Sequence, residues 1–263
     1  MNSLISINRK FMDVPIDELI NMIKKSKHTK GVEIYIDYHD KFERDYLEKI
    51  VPVLKQNNLI LQIHGEVELD YNEQLEYMAK ITNYSNIIGY PIVVTLHPRY
   101  DEDLKISYDI TKDYLDRLVN EIDLSKIIIG LENLNDWNGM IRLTKEELEP
   151  IILDNDKINF TYDIGHELEK FRCMHPTSNE LSNEVVNIHI HTTVDGVEDH
   201  QPIYDGDKYW SVIENAFNYM IEIDYNKNLV FEYDVLACKG NSIEEKIDDY
   251  LNSIDFVTDY FNK

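Results

Sequence analysis

The stretch INFTYDIGHEL, residues 158–168, places two metal-binding side chains at the end of an apolar strand. Asp163 stands where the strand-like run stops, and His166 follows in the next turn. A buried polar group without a partner is costly, so an acid and an imidazole are poor components of a core. Carboxylates and neutral imidazoles are, however, common ligands of divalent cations. The stretch therefore suggests a metal site at the end of this strand.

Other apolar runs along the chain end in the same way. The candidate ligands at strand ends, or in the loops that follow, are His64, His97, Glu132, Asp163, His166, His189, Glu198, His200 and Glu232. Taken singly, a histidine such as His64 is usually a hydrogen-bonded structural residue, and His97 before Pro98 can simply end its strand. Glu132 and Glu232 are harder to explain without a partner, because each interrupts an apolar strand. The set as a whole, not any one member, indicates a shared site.

The candidates outnumber the ligands of a single ion. One ion binds about four such side chains. Either several ions are bound, or some of these residues form hydrogen bonds to the ligands and do not contact the ion themselves. His191 alternates with His189 across Ile190 and cannot share its relation to the strand end. We therefore predict that His191 is not a ligand.

The elements that must position these residues alternate regularly. Strand-like runs are predicted at residues 4–8, 32–37, 59–64, 92–97, 127–133, 158–163, 185–191 and 229–234. Segments with helical spacing lie between most of them; in one, Pro15 opens the first turn and Leu19 and Ile23 share a face. Parallel strands need crossover helices, and eight such units close into a (β/α)8 TIM barrel. We predict one α/β domain over residues 1–263, with little helix in the sixth connection, residues 167–184.

In a TIM barrel the loops after the strands meet at one face, which carries the active site. Because the candidate ligands lie at the ends of strands three to eight or just after them, we expect them to share that rim. The sequence therefore predicts a metal site at the carboxyl ends of the barrel strands.

Composition restricts the classes of function. The formal net charge is −24, which disfavours binding to a nucleic acid backbone. Cys173 and Cys238, the two cysteines, have no second cysteine nearby, which is typical of a reduced compartment. The chain starts without a signal-like segment and has no apolar run of membrane-spanning length. We expect a soluble, cytoplasmic protein without a membrane partner, and leave open whether it forms a homo-oligomer.

Five motifs resemble the xylose isomerase-like TIM barrels, which include the endonuclease IV type of apurinic endonucleases (AP endonuclease family 2). They are GVEI (31–34), TLHP (95–98), LEN (131–133), DIGH (163–166) and HIHTTVDGVEDHQPIYDGD (189–207). The chain departs from the family pattern at Glu198, which stands where the family usually has Asp. It also departs at Thr192, which replaces an acid, and at Tyr204, which replaces a turn glycine.

The resemblance implies up to three metal ions. His64 and His97 would hold the first ion, and Glu132 would bridge it to the second. Asp163, His189 and Glu232 would complete the second site. His166, Glu198 and His200 would hold the third. We expect one to three divalent ions, with zinc as the first choice and manganese, iron, cobalt or magnesium as alternatives.

The resemblance leaves the reaction open between several classes. In an isomerase or epimerase, the ion would act as a Lewis acid on an open-chain sugar while Glu132 and Glu232 move the proton. In a zinc phosphoesterase of the endonuclease IV type, several ions would stabilise the attacking and leaving oxygens. Because of the paired carboxylates and the acidic surface, we favour isomerisation or epimerisation of a small sugar or sugar phosphate. A multinuclear iron oxidase ranks third, followed by a non-enzymatic metal-storage barrel.

Overall fold

The computed structural model of the chain describes residues 1–65, 69–134, 143–169, 178–194 and 198–262. The strands are β1 (Asn2–Ile7), β2 (Thr29–Tyr35), β3 (Ile60–His64), β4 (Ile92–Leu96), β5 (Ile127–Glu132), β6 (Ile158–Asp163), β7 (Val185–Ile190), β8 (Thr192–Val194), β9 (Glu198–Gln201) and β10 (Asn228–Phe231). The helices are α1 (Ile16–Lys25), α2 (Lys41–Gln56), α3 (Tyr71–Ile88), α4 (Leu104–Glu121), α5 (Lys145–Leu153), α6 (Ile164–Glu169), α7 (Asn179–Asn183), α8 (Trp210–Glu222) and α9 (Ile243–Phe261). A short 3-10 helix spans Arg9–Phe11.

Eight parallel strands close into a barrel in the order β1-β10-β7-β6-β5-β4-β3-β2. β1 pairs with β2 on one side, with a shift of register between Ser3 and Leu4, and with β10 on the other, which closes the ring. This confirms the predicted (β/α)8 barrel. Among the described residues, β8 and β9 lie outside the barrel and pair in an antiparallel manner in the seventh connection, which the sequence pattern did not predict.

The helices form where the pattern of apolar residues and caps predicts them. In α1, Leu19, Ile20 and Ile23 are buried on one face. In α5, Thr144 and Glu147 form a capping box that fixes the first turn. The sixth connection contains the short helices α6 and α7 within its described residues, in agreement with the prediction of little helix. No helix among the described residues is both long and apolar enough to cross a bilayer.

The inside of the barrel contains polar side chains as well as apolar ones. Alternate residues of a strand share one face, so Glu33, Thr95, Thr161 and Asn187 each lie two residues before a position at the rim. Thr95 Oγ1 lies 3.3 Å from Glu33 Oε2 and 3.3 Å from Thr161 Oγ1. Asn187 Nδ2 donates to Glu33 Oε2 at 3.2 Å. These contacts cross the barrel and form a polar layer beneath the rim, which we call the lower layer.

A close approach of two strands fixes the β2–β3 pairing. A Cβ added to Gly31 would overlap the backbone oxygen of Ile60 on the neighbouring strand. Gly31→Ala should therefore lower the free energy of unfolding by about 1–3 kcal/mol, the usual cost of overpacking. Urea denaturation measures this, with the exposed neighbour Lys30→Ala as control. Equal stability of the two variants would contradict the assigned β2–β3 contact.

Candidate metal centre

The predicted site residues meet at the carboxyl end of the barrel. A cavity of about 490 Å³ opens there. Its wall includes His64, His97, Glu132, His166, His200 and Glu232. Asp163 and His189 are completely buried behind this wall. The structure thus brings together eight of the nine predicted ligands, and the side chain of the ninth, Glu198, lies outside the described residues.

Glu132 lies at the centre of the cluster and is completely buried. Its Oε2 is 2.8 Å from His97 Nε2 and 3.4 Å from His64 Nε2. Its Oε1 is 2.7 Å from His189 Nδ1. A carboxylate oxygen and an imidazole lone pair repel each other at these distances unless a proton or a cation lies between them. The end of β5 is therefore built to share protons or a metal ion with three histidines.

A second group of ligand atoms overlaps the first through Glu132. His189 Nδ1 lies 3.1 Å from Glu232 Oε2 and 4.0 Å from Asp163 Oδ2. Ligand atoms of Glu132, Asp163, His189 and Glu232 all lie within 4.8 Å of one another, as do those of His64, His97 and Glu132. These two groups correspond to the first and second ion sites that the family resemblance implied.

The hydrogen bonding tests whether these residues suit a cation. Glu132 Oε2 and Asp163 Oδ2 are buried, and neither has a well-aligned hydrogen-bond partner within the described part of the chain. A buried carboxylate oxygen without a donor is costly. A divalent cation among the carboxylates and imidazoles would satisfy both oxygens, so the donor set fits a metal ion.

A third group contains His166, His200 and His191, whose ring nitrogens lie within 4.8 Å of one another. We predicted that His191 is not a ligand. The backbone N–H of His200 donates to His191 Nδ1 at 3.0 Å, and the same nitrogen lies 3.2 Å from the backbone oxygen of Thr192. His191 Nε2 lies 3.3 Å from Asp163 Oδ1. These contacts place His191 beside Asp163, and its non-ligand role stays a prediction.

Asn133, the residue after Glu132, positions Asp163 through both ends of its amide. Its Oδ1 accepts from Asp163 N at 2.8 Å, and its Nδ2 donates to Asp163 O at 3.0 Å. Its backbone oxygen lies 2.9 Å from His166 Nδ1. The LEN and DIGH motifs therefore form one hydrogen-bonded unit.

Behind this unit lies a buried ion pair that the sequence did not reveal. Lys145 Nζ, on a side chain only 1% exposed, is 2.9 Å from Glu167 Oε2. Glu167 Oε1 in turn accepts from Asn133 Nδ2 at 3.4 Å. A buried pair of this kind needs every polar partner in place. Through Glu167, this ion pair therefore helps to fix the side chain of Asn133.

Glu33 was also missed. It is completely buried on β2, and its Oε1 lies 3.2 Å from His189 Nε2. The signal was present in the sequence, since Glu33 interrupts the apolar run VEIYID as Glu132 interrupts its own strand. Because Glu33 lies inside the strand and not at its end, the pattern of strand-end ligands does not include it.

The charges around the cluster shift its acids and bases in opposite directions. Burial lowers the pKa of His64, but its close contact with Glu132 and the charges of Glu232 and Glu132 outweigh that effect and raise the pKa to about 9. Burial lowers the pKa of His189. The charges of Glu232, Glu33 and Glu132 outweigh that effect and raise the pKa well above its usual value. For Glu132, burial raises the pKa, but the charge of His189, its hydrogen bond to Oε1 and the close contacts of His64 and His97 hold that pKa well below its usual value. In the metal-free chain, protons on His64 and His189 therefore balance the buried carboxylates, whereas burial lowers the pKa of His97.

A model of the family described as the xylose isomerase-like TIM barrel matches residues 25–259. The chain belongs to this family. The match confirms the resemblance that the five motifs indicated.

Solved structures of similar fold cover nearly the whole chain. A D-tagatose 3-epimerase-like protein is 16% identical with a TM-score of 0.72, covering 98% of this chain and 97% of the other. The 3-keto-D-glucoside 4-epimerase YcjR of E. coli is 14% identical with a TM-score of 0.67, covering 98% and 99%. SacUVDE is 11% identical with a TM-score of 0.60, covering 99% of each chain. At these identities the similarity establishes the fold.

A curated relative matches part of the chain. The uncharacterized protein MJ1311 of Methanocaldococcus jannaschii is 27% identical over 158 residues. The match covers 52% of this chain and 51% of the relative, so it spans about half the length of each.

Metal binding should release protons. Because the pKa of His64 is about 9 in the metal-free chain, its ring is protonated at pH 7, and an ion that binds there must displace that proton. We expect at least one proton per chain to be released at pH 7, and the apparent affinity to rise as the pH rises towards 9. Isothermal titration calorimetry in buffers of different ionisation enthalpy measures the release. Binding at pH 7 without proton release would contradict the charge state assigned to His64.

The same shift makes the stability of the metal-free chain depend on pH. The pKa of His64 is raised from 6.5 to about 9 in the folded chain, so the folded chain binds this proton more tightly than the unfolded chain does. The resulting stability is fully present below the unfolded value and is lost as the pH rises through the folded value.

Proposed function

We propose that the protein is a divalent-metal-dependent enzyme that isomerises or epimerises a small sugar or sugar phosphate. The observation that carries the proposal is the placement of two carboxylates at one cavity. Glu132 and Glu232 both line the wall, and both approach the same atom, His189 Nδ1, at 2.7 Å and 3.1 Å. Two acids at one cavity can divide the tasks of removing and returning a proton.

Glu132, Asp163, His189 and Glu232 would hold the ion on which this chemistry depends. Their mixed carboxylate and imidazole donors suit zinc first, with manganese, iron, cobalt or magnesium as alternatives. When bound, the ion would act as a Lewis acid that polarises a carbonyl or hydroxyl oxygen and acidifies the neighbouring carbon.

The chain's own residues would then move the proton. One of the two carboxylates removes a proton from the carbon next to the carbonyl, and the electron pair shifts towards the carbonyl oxygen. Return of a proton to the opposite face of that carbon inverts its configuration. Return of the proton to the former carbonyl carbon, with transfer of the hydroxyl proton to the former carbonyl oxygen, isomerises the sugar. Glu132 is completely buried while Glu232 is 7% exposed, so the two carboxylates meet the cavity at different depths.

The size and polarity of the cavity fit a small polyol. A volume of about 490 Å³ accommodates a single sugar, since small-molecule sites span roughly 300–1,000 Å³. Part of the wall is formed by Ser6, Asn8, Lys10 and Asp234. Lys10 Nζ lies 2.8 Å from Asp234 Oδ1, so donor and acceptor groups for sugar hydroxyls stand side by side. The net charge of −24 opposes a polyanionic substrate, and of two proteins of similar fold one is named as a sugar epimerase and the other as a sugar epimerase-like protein.

Phosphoester hydrolysis by a multinuclear centre is the second candidate. The observation in its favour is the group formed by His166, His191 and His200, which lies beside the two overlapping groups around Glu132. Two or three ions at this rim would stabilise both the attacking and the leaving oxygen of a phosphoester.

Deuterium exchange distinguishes the two candidates. Metal-loaded protein is incubated in D2O with aldoses and ketoses, free and phosphorylated, and proton NMR follows the carbon next to the carbonyl. We expect exchange with at least one sugar, and a rate about 10²–10⁴-fold lower in Glu232→Gln, the usual contribution of a general acid or base. Glu180→Gln, which changes an exposed acid of α7, is the control and should keep the wild-type rate.

The opposite result is also defined. If no sugar exchanges deuterium while the protein nicks DNA at abasic sites, and Glu132→Gln abolishes the nicking, the isomerase proposal is wrong and hydrolysis takes its place.

A further inference from the structure

Glu33 is a buried acid whose surroundings call for a proton donor. Its carboxylate is completely buried inside the barrel, one strand away from the rim residue His64. Oε2 has donors in Thr95 Oγ1 at 3.3 Å and Asn187 Nδ2 at 3.2 Å. Oε1 has no aligned hydrogen-bond partner among the described residues, although His189 Nε2 lies 3.2 Å from it. A proton on that nitrogen would relieve the cost of burying Oε1.

The two nitrogens of the His189 ring face different environments. Nδ1 faces the carboxylates of Glu132 and Glu232, where the ion is proposed to bind. Nε2 faces the lower layer, with Glu33 Oε1 at 3.2 Å and Asn187 Nδ2 at 3.0 Å. A neutral imidazole has one lone pair, so a ring that binds an ion through Nδ1 must carry its proton on Nε2.

Two residues compete to set this tautomer. If Asn187 Nδ2 donates to Nε2, the lone pair lies on Nε2 and Nδ1 is blocked by a proton. If Nε2–H donates to Glu33 Oε1, the lone pair is left on Nδ1 and faces Glu132 and Glu232. Asn187 does not need Nε2 as an acceptor, because its Nδ2 also donates to Glu33 Oε2 at 3.2 Å. The carboxylate of Glu33 can only accept.

We propose that Glu33 is a positioning residue of the metal centre, which accepts the Nε2 proton of His189 and so presents Nδ1 as the metal-binding atom. A carboxylate behind a metal-binding histidine fixes the ring and makes it a stronger ligand. Through the bonds from Thr95 and Asn187, the lower layer holds Glu33 in place. This inference rests on the proposed metal centre, but it does not depend on which sugar reaction follows.

Chelator competition on the full-length protein tests the role of Glu33. Zinc-loaded wild type and Glu33→Gln are titrated with a chromophoric chelator, and the absorption spectrum of each Co²⁺-loaded protein reports the ligand set. We expect Glu33→Gln to bind zinc about 10–100-fold more weakly, the usual effect of losing such a partner. Its Co²⁺ spectrum should change as well, because the ring of His189 is no longer held.

Matched variants separate this role from general damage to the barrel. Gln62 is the register neighbour of Glu33 on β3, is equally buried, and its amide has no hydrogen-bond partner in the described part of the chain. Gln62→Leu should therefore keep the wild-type zinc affinity within about twofold. Asn187→Leu removes the competing partner of Nε2 and should weaken binding less than Glu33→Gln does. Circular dichroism of each metal-free variant establishes that it is folded.

Each outcome decides the inference. Wild-type affinity in Glu33→Gln, an equal loss in Gln62→Leu, or a larger loss in Asn187→Leu would overturn the role of Glu33 and leave the metal centre intact. If the Gln variant does not fold, Glu33→Asp keeps the charge but withdraws it from Nε2, and it must show the same loss. Failure of the wild type to bind any metal would instead remove the metal centre, and the proposed function with it.

Discussion

A completely buried carboxylate among three histidines is the constraint on which the rim of this barrel depends. Glu132 ends β5 with its oxygens 2.8 Å from His97, 3.4 Å from His64 and 2.7 Å from His189. A charge at this depth is tolerable only if protons or cations balance it. The histidines and the acids beyond them are therefore electrostatically coupled, and a change in the charge of one shifts the pKa values of the others.

The geometry of a parallel barrel explains why distant residues can form such a cluster. Every strand points the same way, so each carboxyl end delivers its last inward side chains to the same rim. The alternation of side chains then places a second set of inward residues one step below. Glu33, Thr95 and Asn187 belong to that lower layer, and their hydrogen bonds tie it to the underside of His189. In our interpretation, the upper residues bind the ion and the lower layer orients them.

The residues that could be predicted from the sequence are those whose position follows from one strand alone. A strand ends where its apolar run ends, so His64, Glu132 and Asp163 were identified without knowledge of their neighbours. The contacts of Glu33 and Lys145 depend on other elements and could not be read from a single segment. His191 illustrates the same limit, because its ring accepts from the backbone N–H of His200 on β9. Patterns of periodicity locate strands and helices, but they do not show which buried atom faces which.

We propose above all that Glu132 is a ligand of the bound metal. The most direct test is the metal content of wild type and Glu132→Gln after reloading with zinc. Inductively coupled plasma mass spectrometry measures it on protein purified without a histidine tag. We predict one to three divalent ions per wild-type chain and fewer in the variant, because both ligand groups around β5 include this carboxylate. Absence of bound metal in the wild type after reloading with zinc, manganese, iron, cobalt or magnesium would contradict the claim. An unchanged metal content in Glu132→Gln would contradict it equally.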